Sequence, residues 1–231
     1  MIDTSEHGRS PHSPTSHHHN RIAKPAGYMV AKVEIVPLEP GQVDEVSAML
    51  ARAFQDDPAW AWVLPDARRR AALLPWLFRM NFDVAVAQVW TTPGEIVGCA
   101  RWLQPGRPEI HVARMLRALV ATPLRVREAT SRFLAYGRAV EAMRAVAVPE
   151  PHWYLAGIGV DPTRRRSGIG TALMQPGLDA STRDDVACAL LTNNEENLAF
   201  YEHHGFQVVH KGRTPEGGPR AWMMRRRPAS H

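Results

Sequence analysis

Gly157-Ile-Gly-Val-Asp-Pro-Thr-Arg-Arg-Arg-Ser-Gly-Ile-Gly-Thr171 reads as the end of an apolar strand, a proline-containing turn, an arginine-rich glycine loop and the start of a helix. A strand that enters a helix in this way leaves the first helical amides without partners, beside positive charge. That combination suits a phosphate or pyrophosphate. The glycines let the main chain approach a ligand and take φ values barred to other residues. Two better-known phosphate loops do not fit. No Lys follows Gly168 or Gly170, as a P-loop needs, and Gly168-x-Gly170 is followed by Thr171-Ala-Leu173 where a dinucleotide fingerprint needs a third Gly.

Outward from this loop the last third of the chain alternates. Trp153–Val160 predicts a strand, Gly168–Thr182 a helix, and the apolar run Val186–Leu191 a strand buried on both faces. Glu195–His204 predicts a helix, and strands near Phe206–Lys211 and Ala221–Arg226 close the chain. Upstream, Val33–Leu38 predicts a short strand and Gln42–Phe54 a helix with Val43, Val46, Met49, Leu50 and Ala53 as its apolar stripe. Asp56-Asp57-Pro58-Ala-Trp60-Ala-Trp62 reads as an aromatic turn, followed by a helix over Ala67–Phe82. Strands near Val84–Thr91 and Ile96–Leu103 follow, then a helical stretch from Glu109 to Val146 broken at Thr122-Pro123. This order predicts an α/β fold, an α+β mixed sheet flanked by helices.

Composition sets the frame. At 231 residues and 45% hydrophobic content, one core domain over 32–228 is expected. Residues 1–31 are rich in Ser, His and Pro and are expected to be a disordered extension, including His17-His18-His19. No apolar run is long enough to span a membrane, so no membrane partner is expected. Cys99 and Cys188 sit in separate strand-like segments, which fits a reducing, cytoplasmic setting rather than a disulfide framework. The net charge of +5 comes almost wholly from arginine, since only Lys24, Lys32 and Lys211 are lysines. The arginines are dispersed and not interleaved with stacking aromatics, so no nucleic-acid partner is expected.

A second element stands near the end. In Asn193-Asn-Glu-Glu196-Asn197-Leu-Ala-Phe-Tyr201-Glu-His-His-Gly205-Phe206, Asn193 is the expected helix cap with Glu196 completing a capping box, and Gly205 the stop. Asn197 and Tyr201 are four apart and share a face, where an amide and a phenol can reach one ligand side by side.

Arg165-x-x-Gly168-x-Gly170 after Val160-Asp-Pro162 resembles the coenzyme-A motif of the GNAT superfamily of N-acetyltransferases, and the Asn197–Phe206 segment, which reads N-x-x-F-Y-x-x-x-G-F, resembles a second motif of that family. Pro151–Val160, the helix carrying Gln175-Pro176-Gly177, the close from Pro215 to Met223 and Ala53–Trp60 resemble the puromycin N-acetyltransferase branch. Pro176 is expected to kink its helix by leaving the Ala172 carbonyl without an amide.

The resemblance implies an acyl-CoA N-acyltransferase fold whose mixed sheet has splayed parallel strands. It also implies direct acetyl transfer from acetyl-CoA, a co-substrate, to a small-molecule amine, with no metal. The cofactor-binding residues it implies are Ile158, Gly159, Val160, Arg165, Arg166, Ser167, Gly168, Ile169, Gly170, Thr171, Asn197 and Tyr201. A strand distortion near Leu155–Ile158 would free amides to polarise the thioester, and Tyr201 would be the general acid. Asp57 and Trp60 are the candidate substrate-binding residues. The general base stays open, because puromycin-type relatives carry Glu where Leu191 stands. Asp56, Asp57 and His152 are candidates, against a reading of both aspartates as solvated turn carboxylates. Trp60, Trp62 and Trp76 either line an acceptor pocket or belong to the core. A monomer or a homodimer is expected. The alternatives to a small-molecule enzyme are a protein acetyltransferase and a non-catalytic acyl-CoA-binding module.

Overall fold

The computed structural model describes residues 33–81, 87–106, 127–215 and 217–228. The extension 1–31, the start of the strand at Val84 and the helical stretch before Arg127, with its break at Thr122-Pro123, lie outside these residues. Within them seven strands form one sheet: β1 (Val36–Pro37), β2 (Ala87–Thr91), β3 (Gly98–Leu103), β4 (His152–Val160), β5 (Ala187–Thr192), β6 (Gln207–Arg213) and β7 (Arg220–Arg226), in the order β1-β2-β3-β4-β5-β7-β6. Only β4 and β5 pair in parallel; the rest of the sheet is antiparallel.

The strand period of two sends alternate side chains to two helical layers. On one face Cys99, Leu103, Tyr154 and Ala189 meet Val46, Met49 and Leu50 of α1 (Val43–Ala53) and Val140 of α4 (Arg127–Ala147). On the other, Trp102, Trp153, Leu155, Cys188 and Leu190 meet Leu173, Met174 and Leu178 of α5 (Ile169–Arg183). A third cluster joins α2 (Pro58–Val63) and α3 (Ala67–Asn81) to Ala51 and Ala129. The run Ala187–Leu190 is buried throughout, as a strand covered on both faces must be.

Two local expectations are corrected. The segment read as an aromatic turn is the helix α2, because Asp57 accepts hydrogen bonds from the amides of Ala59 and Trp60 while Pro58 takes the first helical position. The expected helix through Pro176 is present: α5 runs from Ile169 to Arg183, with Gly177 against the Trp102 indole where any Cβ would collide. The cap near Glu196 is Asn194, whose Oδ1 accepts from the Glu196 amide, and not Asn193. A short 3-10 turn over Glu195–Asn197 then leads into α6 (Leu198–His203), and Gly205 at φ +84° ends it. No helix among the described residues is long and apolar enough to cross a membrane.

Candidate active site

The site begins where the sheet comes apart. β4 and β5 pair only from His152↔Ala187 to Leu155↔Leu190. Beyond Leu155 the two strands separate, so the β5-facing main-chain groups of the second half of β4 have no strand partner. On its other edge β4 carries a bulge at the same point: Trp102 pairs with Leu155 but Arg101 with Gly157, leaving Ala156 without a partner on β3. A bulge bends the strand and re-aims its groups. The expected distortion near Leu155–Ile158 is therefore present. Gly159 leaves no room for a side chain, because a Cβ there would meet Leu50 Cδ2 at 2.7 Å and Phe54 at 3.1 Å.

The loop after β4 is pinned at its root and open at its tip. Asp161 accepts from the Thr163 hydroxyl at 2.7 Å and the Thr163 amide at 3.0 Å, and Arg52 of α1 reaches it with Nη2 at 2.7 Å. The Thr163 hydroxyl and amide, then Arg52, hold its carboxyl pKa down at about 2. From Pro162 to Gly168 every residue is exposed. Arg166 at φ +62° and Gly168 at φ +81° take the left-handed conformation, which turns successive amides to one side and opens α5 directly at Ile169. Among the described residues, no group accepts from the amides of Ser167 to Gly170. Arg164 lies 3.4 Å from Glu95, and Arg165 donates to the Ala53 carbonyl at 3.4 Å, which keeps both guanidinium groups beside the loop.

Between the splayed strands and the helices lies a cavity of about 180 Å³. Its floor is Leu155–Ile158, and Asn197 and Tyr201 reach it from the β5 side, as their shared helical face predicts. Asp57, Trp60, Phe78 and Phe133 wall the opposite side. Trp60 stacks on Phe133 at 5.6 Å and tilts against Phe78 at 5.1 Å, while Phe54 lies 5.5 Å from Phe78. Asp57 is the one acidic and Arg101 the one basic residue among the described residues lining this space.

The two ionisable groups that face each other here are both perturbed. Burial pushes the Asp57 carboxyl above its usual range, against the lowering effect of its two cap bonds. Burial also raises the Tyr201 phenol, and the Asp57 charge raises it further, so the two lie within electrostatic reach across the cavity. Tyr201 therefore stays protonated throughout the neutral range. Cys99 also reaches the wall, but burial pushes its thiol up to about 12; Cys188, wholly buried, is pushed up to about 11.

The structure thus brings Ile158, Asn197, Tyr201, Asp57 and Trp60 to one cavity, with Arg165–Gly168 as a separate exposed loop after β4 and Ile169–Thr171 as the first turn of α5, where Ile169 is buried in the core. The paired aspartates part company. Asp56 has a 95% exposed side chain 3.9 Å from Arg70, as a solvated turn carboxylate would, whereas Asp57 turns inward. His152 lies at the far end of β4, bound through Nδ1 to the Glu150 carbonyl at 2.6 Å, away from the cavity. Trp62 and Trp76 belong to the packed third cluster, not to the cavity wall. Leu191 does face the cavity, so β5 offers an apolar surface at that position. Sequence spacing gives no hint of Phe133 or Tyr136, and it assigns Asn193 to a helix cap rather than to the site. Asn193, buried, accepts from the Tyr136 hydroxyl at 2.7 Å and donates to Thr214 Oγ1 at 3.1 Å and to the Arg220 carbonyl at 2.6 Å. It ties α4, the end of β5 and the β6–β7 hairpin together beside the site. A polar residue directly after a buried strand is the only sequence signal it leaves.

The site is thus built on a mixed sheet splayed between its parallel strands, with an exposed loop after β4 and a cavity beside the splay. Residues 47–206 match the model of the Acetyltransferase (GNAT) family, and the chain belongs to that family, whose members are N-acetyltransferases. It is similar in fold to histone acetyltransferase HPA2 and related acetyltransferase from Corynebacterium glutamicum, with TM-score 0.61 and 20% identity over 85% of this chain and 97% of that one. It is likewise similar to arylalkylamine N-acetyltransferase 2 from Aedes aegypti, with TM-score 0.54 and 11% identity over 85% and 99% of the two chains. A third likeness is to a variant of agmatine N-acetyltransferase in its apo form, with TM-score 0.53 and 16% identity over 84% and 99%.

Proposed function

We propose that the protein transfers acetyl from acetyl-CoA directly to the primary amine of a small molecule. The observation that carries this reading is the cavity: it ends on the bulged segment of β4 and is walled by rings and one carboxylate. A space of this shape suits a compact amine better than an extended peptide. The family's co-substrate is acetyl-CoA, and the residues present suit it. The left-handed Arg166 and Gly168 aim amides outward beside three exposed arginines, which is what a pyrophosphate needs. The edge of β4 freed beyond Leu155 suits the amide-bearing arm of the coenzyme.

In this reading the loop residues Arg165–Thr171 hold the pyrophosphate and the β4 amides near Ala156–Ile158 polarise the thioester carbonyl. Such preorganised donors are usually the largest catalytic contribution. The amine nitrogen attacks the carbonyl carbon, the carbon–sulfur bond breaks, and Tyr201 donates its proton to the departing sulfur. Asn197 supports the same end of the coenzyme. Neither cysteine is poised as a nucleophile, since both thiols are held protonated by burial, which favours direct transfer over a covalent intermediate. The likeness to the puromycin branch supports a small-molecule acceptor, while Leu191 removes that branch's carboxylate from β5. We place the enzyme in the reducing cytoplasm, as a monomer or homodimer.

Thiol release from acetyl-CoA over a panel of amines tests the proposal. Turnover with a small primary amine is expected. Turnover with peptides alone would transfer the reading to a protein acetyltransferase, and coenzyme binding without turnover of any amine would leave a binding module.

A further inference from the structure

We propose that the acceptor is a monoamine with an aromatic or bulky apolar body, and that Asp57 receives its ammonium group and removes the proton. This rests on the acetyl-transfer reading above and narrows it.

Among the described residues, Asp57 and Arg101 are the two charged residues that line the cavity. Asp57 Oδ1 is engaged by the amides of Ala59 and Trp60 at 2.9 and 3.3 Å. Its second oxygen has no partner among the described residues, although the side chain lines the cavity. The cap bonds fix the carboxylate to the first turn of α2 and aim it from a rigid element, as a catalytic group requires. That oxygen opens on the cavity, where a substrate donor can reach it, and Arg101 is the one cation among the described residues lining the same space. A substrate ammonium is such a donor.

The rest of the wall selects what the ammonium is attached to. Trp60 is stacked with Phe133 and packed on Phe78, so the surface next to Asp57 is a box of rings. Rings of this kind favour apolar bodies and the cation bound close to them. A diamine would place its second ammonium against these rings or against Leu191, with no second carboxylate in reach among the described residues. Burying an unpaired ammonium there is strongly unfavourable. Leu191, where a carboxylate would otherwise stand, is thus part of the same selectivity.

The proton balance closes with the groups present. Asp57 takes one proton from the ammonium and passes it to water, which frees the amine lone pair. The amine nitrogen then bonds to the carbonyl carbon, and the carbon–sulfur bond breaks. Tyr201 gives its proton to sulfur and recovers one from the nitrogen. The products are an N-acetylamine, the free thiol and one proton in solution.

The test uses the full chain, acetyl-CoA, and phenethylamine, putrescine and an amino-terminal peptide as acceptors. The kcat/KM for phenethylamine is expected to exceed those for putrescine and the peptide by about 100-fold, the scale on which an unpaired buried charge is rejected. Asn caps a helix as well as Asp does, so Asp57→Asn keeps α2 and isolates the charge. It should lower kcat/KM for phenethylamine by about 100-fold, leave the KM for acetyl-CoA unchanged, and leave the thermal midpoint in place. Trp60→Leu should narrow the preference for phenethylamine over putrescine. Equal or better turnover of putrescine, or an Asp57→Asn enzyme as fast as the wild type, overturns this inference while leaving acetyl transfer standing. No turnover of any amine, with coenzyme bound, overturns the acetyl-transfer reading and this one with it.

Discussion

Between Asp161 and Thr171 the protein presents main chain; around Asp57, Trp60 and Phe133 it presents side chains. The loop gains its character from two left-handed residues, Arg166 and Gly168, and from amides that no helix turn precedes. The cavity gains its character from rings that lie far apart in the chain: Phe54 just after α1, Trp60 on α2, Phe78 on α3 and Phe133 on α4. A recognition surface made of backbone tolerates many side chains but few changes of conformation. One made of side chains does the reverse. The two regions of this site should therefore fail differently when altered, and on different kinetic constants.

The sharpest break is expected at the point where both regions meet. Tyr201→Phe removes one oxygen from a buried ring that otherwise packs on Phe200 and Phe206. Steady-state kinetics should show kcat lower by about 100-fold, the scale of general-acid catalysis, with coenzyme A affinity nearly unchanged. Unchanged turnover would remove Tyr201 from the chemistry.

On the main-chain side, Gly168→Ala puts a Cβ on a residue at φ +81°, where it would meet only Val33 Cγ2 at 4.0 Å but in a conformation that strains L-residues by about 1–2 kcal/mol. The expected result is a KM for acetyl-CoA raised about tenfold for every amine alike. A change in amine preference instead would mean that the loop is not separate from the acceptor wall. Phe133→Leu is the converse experiment. It should raise the KM of aromatic amines several-fold while the KM for acetyl-CoA holds.

The smallest effect concerns the root of the loop. The Asp161 carboxyl is depressed to about 2 by Thr163 and Arg52, so its contribution to stability is complete above its unfolded value of 3.8 and is lost as pH falls through about 2. Arg52 is more than half exposed and screened, so this contribution is about 1 kcal/mol. Denaturant unfolding from pH 5 down to pH 2 should show Asp161→Asn closing most of its gap to wild type at the acid end. A gap independent of pH would mean that the residue acts by shape alone.

The same contrast explains what could be read from the sequence. The loop was legible because its chemistry is local: a strand, Asp161-Pro162, three arginines and two glycines lie within one short stretch, and the fold confines their role to that stretch. The alternating apolar runs likewise predicted the strands β4 and β5 and the helix α5. Side-chain assemblies were not legible in this way. Asp56 and Asp57 are adjacent and chemically identical, and only the entry angle of α2 sends one to solvent and the other into the cavity. Asn193 and Asn194 repeat the lesson, since the fold assigns the clamp to the first and the cap to the second. Phe133 lies on α4, far along the chain from Trp60, and nothing in its own neighbourhood marks it. The bulge at Ala156 was foreseeable from the surrounding glycines, but its alignment with the point where β4 leaves β5 is a property of the sheet.

The central claim is that this loop and this cavity serve one reaction, in which acetyl passes from coenzyme A to a compact amine. Mass spectrometry of a mixture of the full chain, acetyl-CoA and phenethylamine tests it most directly, with the free thiol measured in parallel. The account predicts N-acetylphenethylamine and free coenzyme A appearing in equal amounts, with no acetyl group on the protein. Coenzyme A bound while the amine stays unmodified, or acetyl accumulating on Cys99 or Cys188, would contradict it.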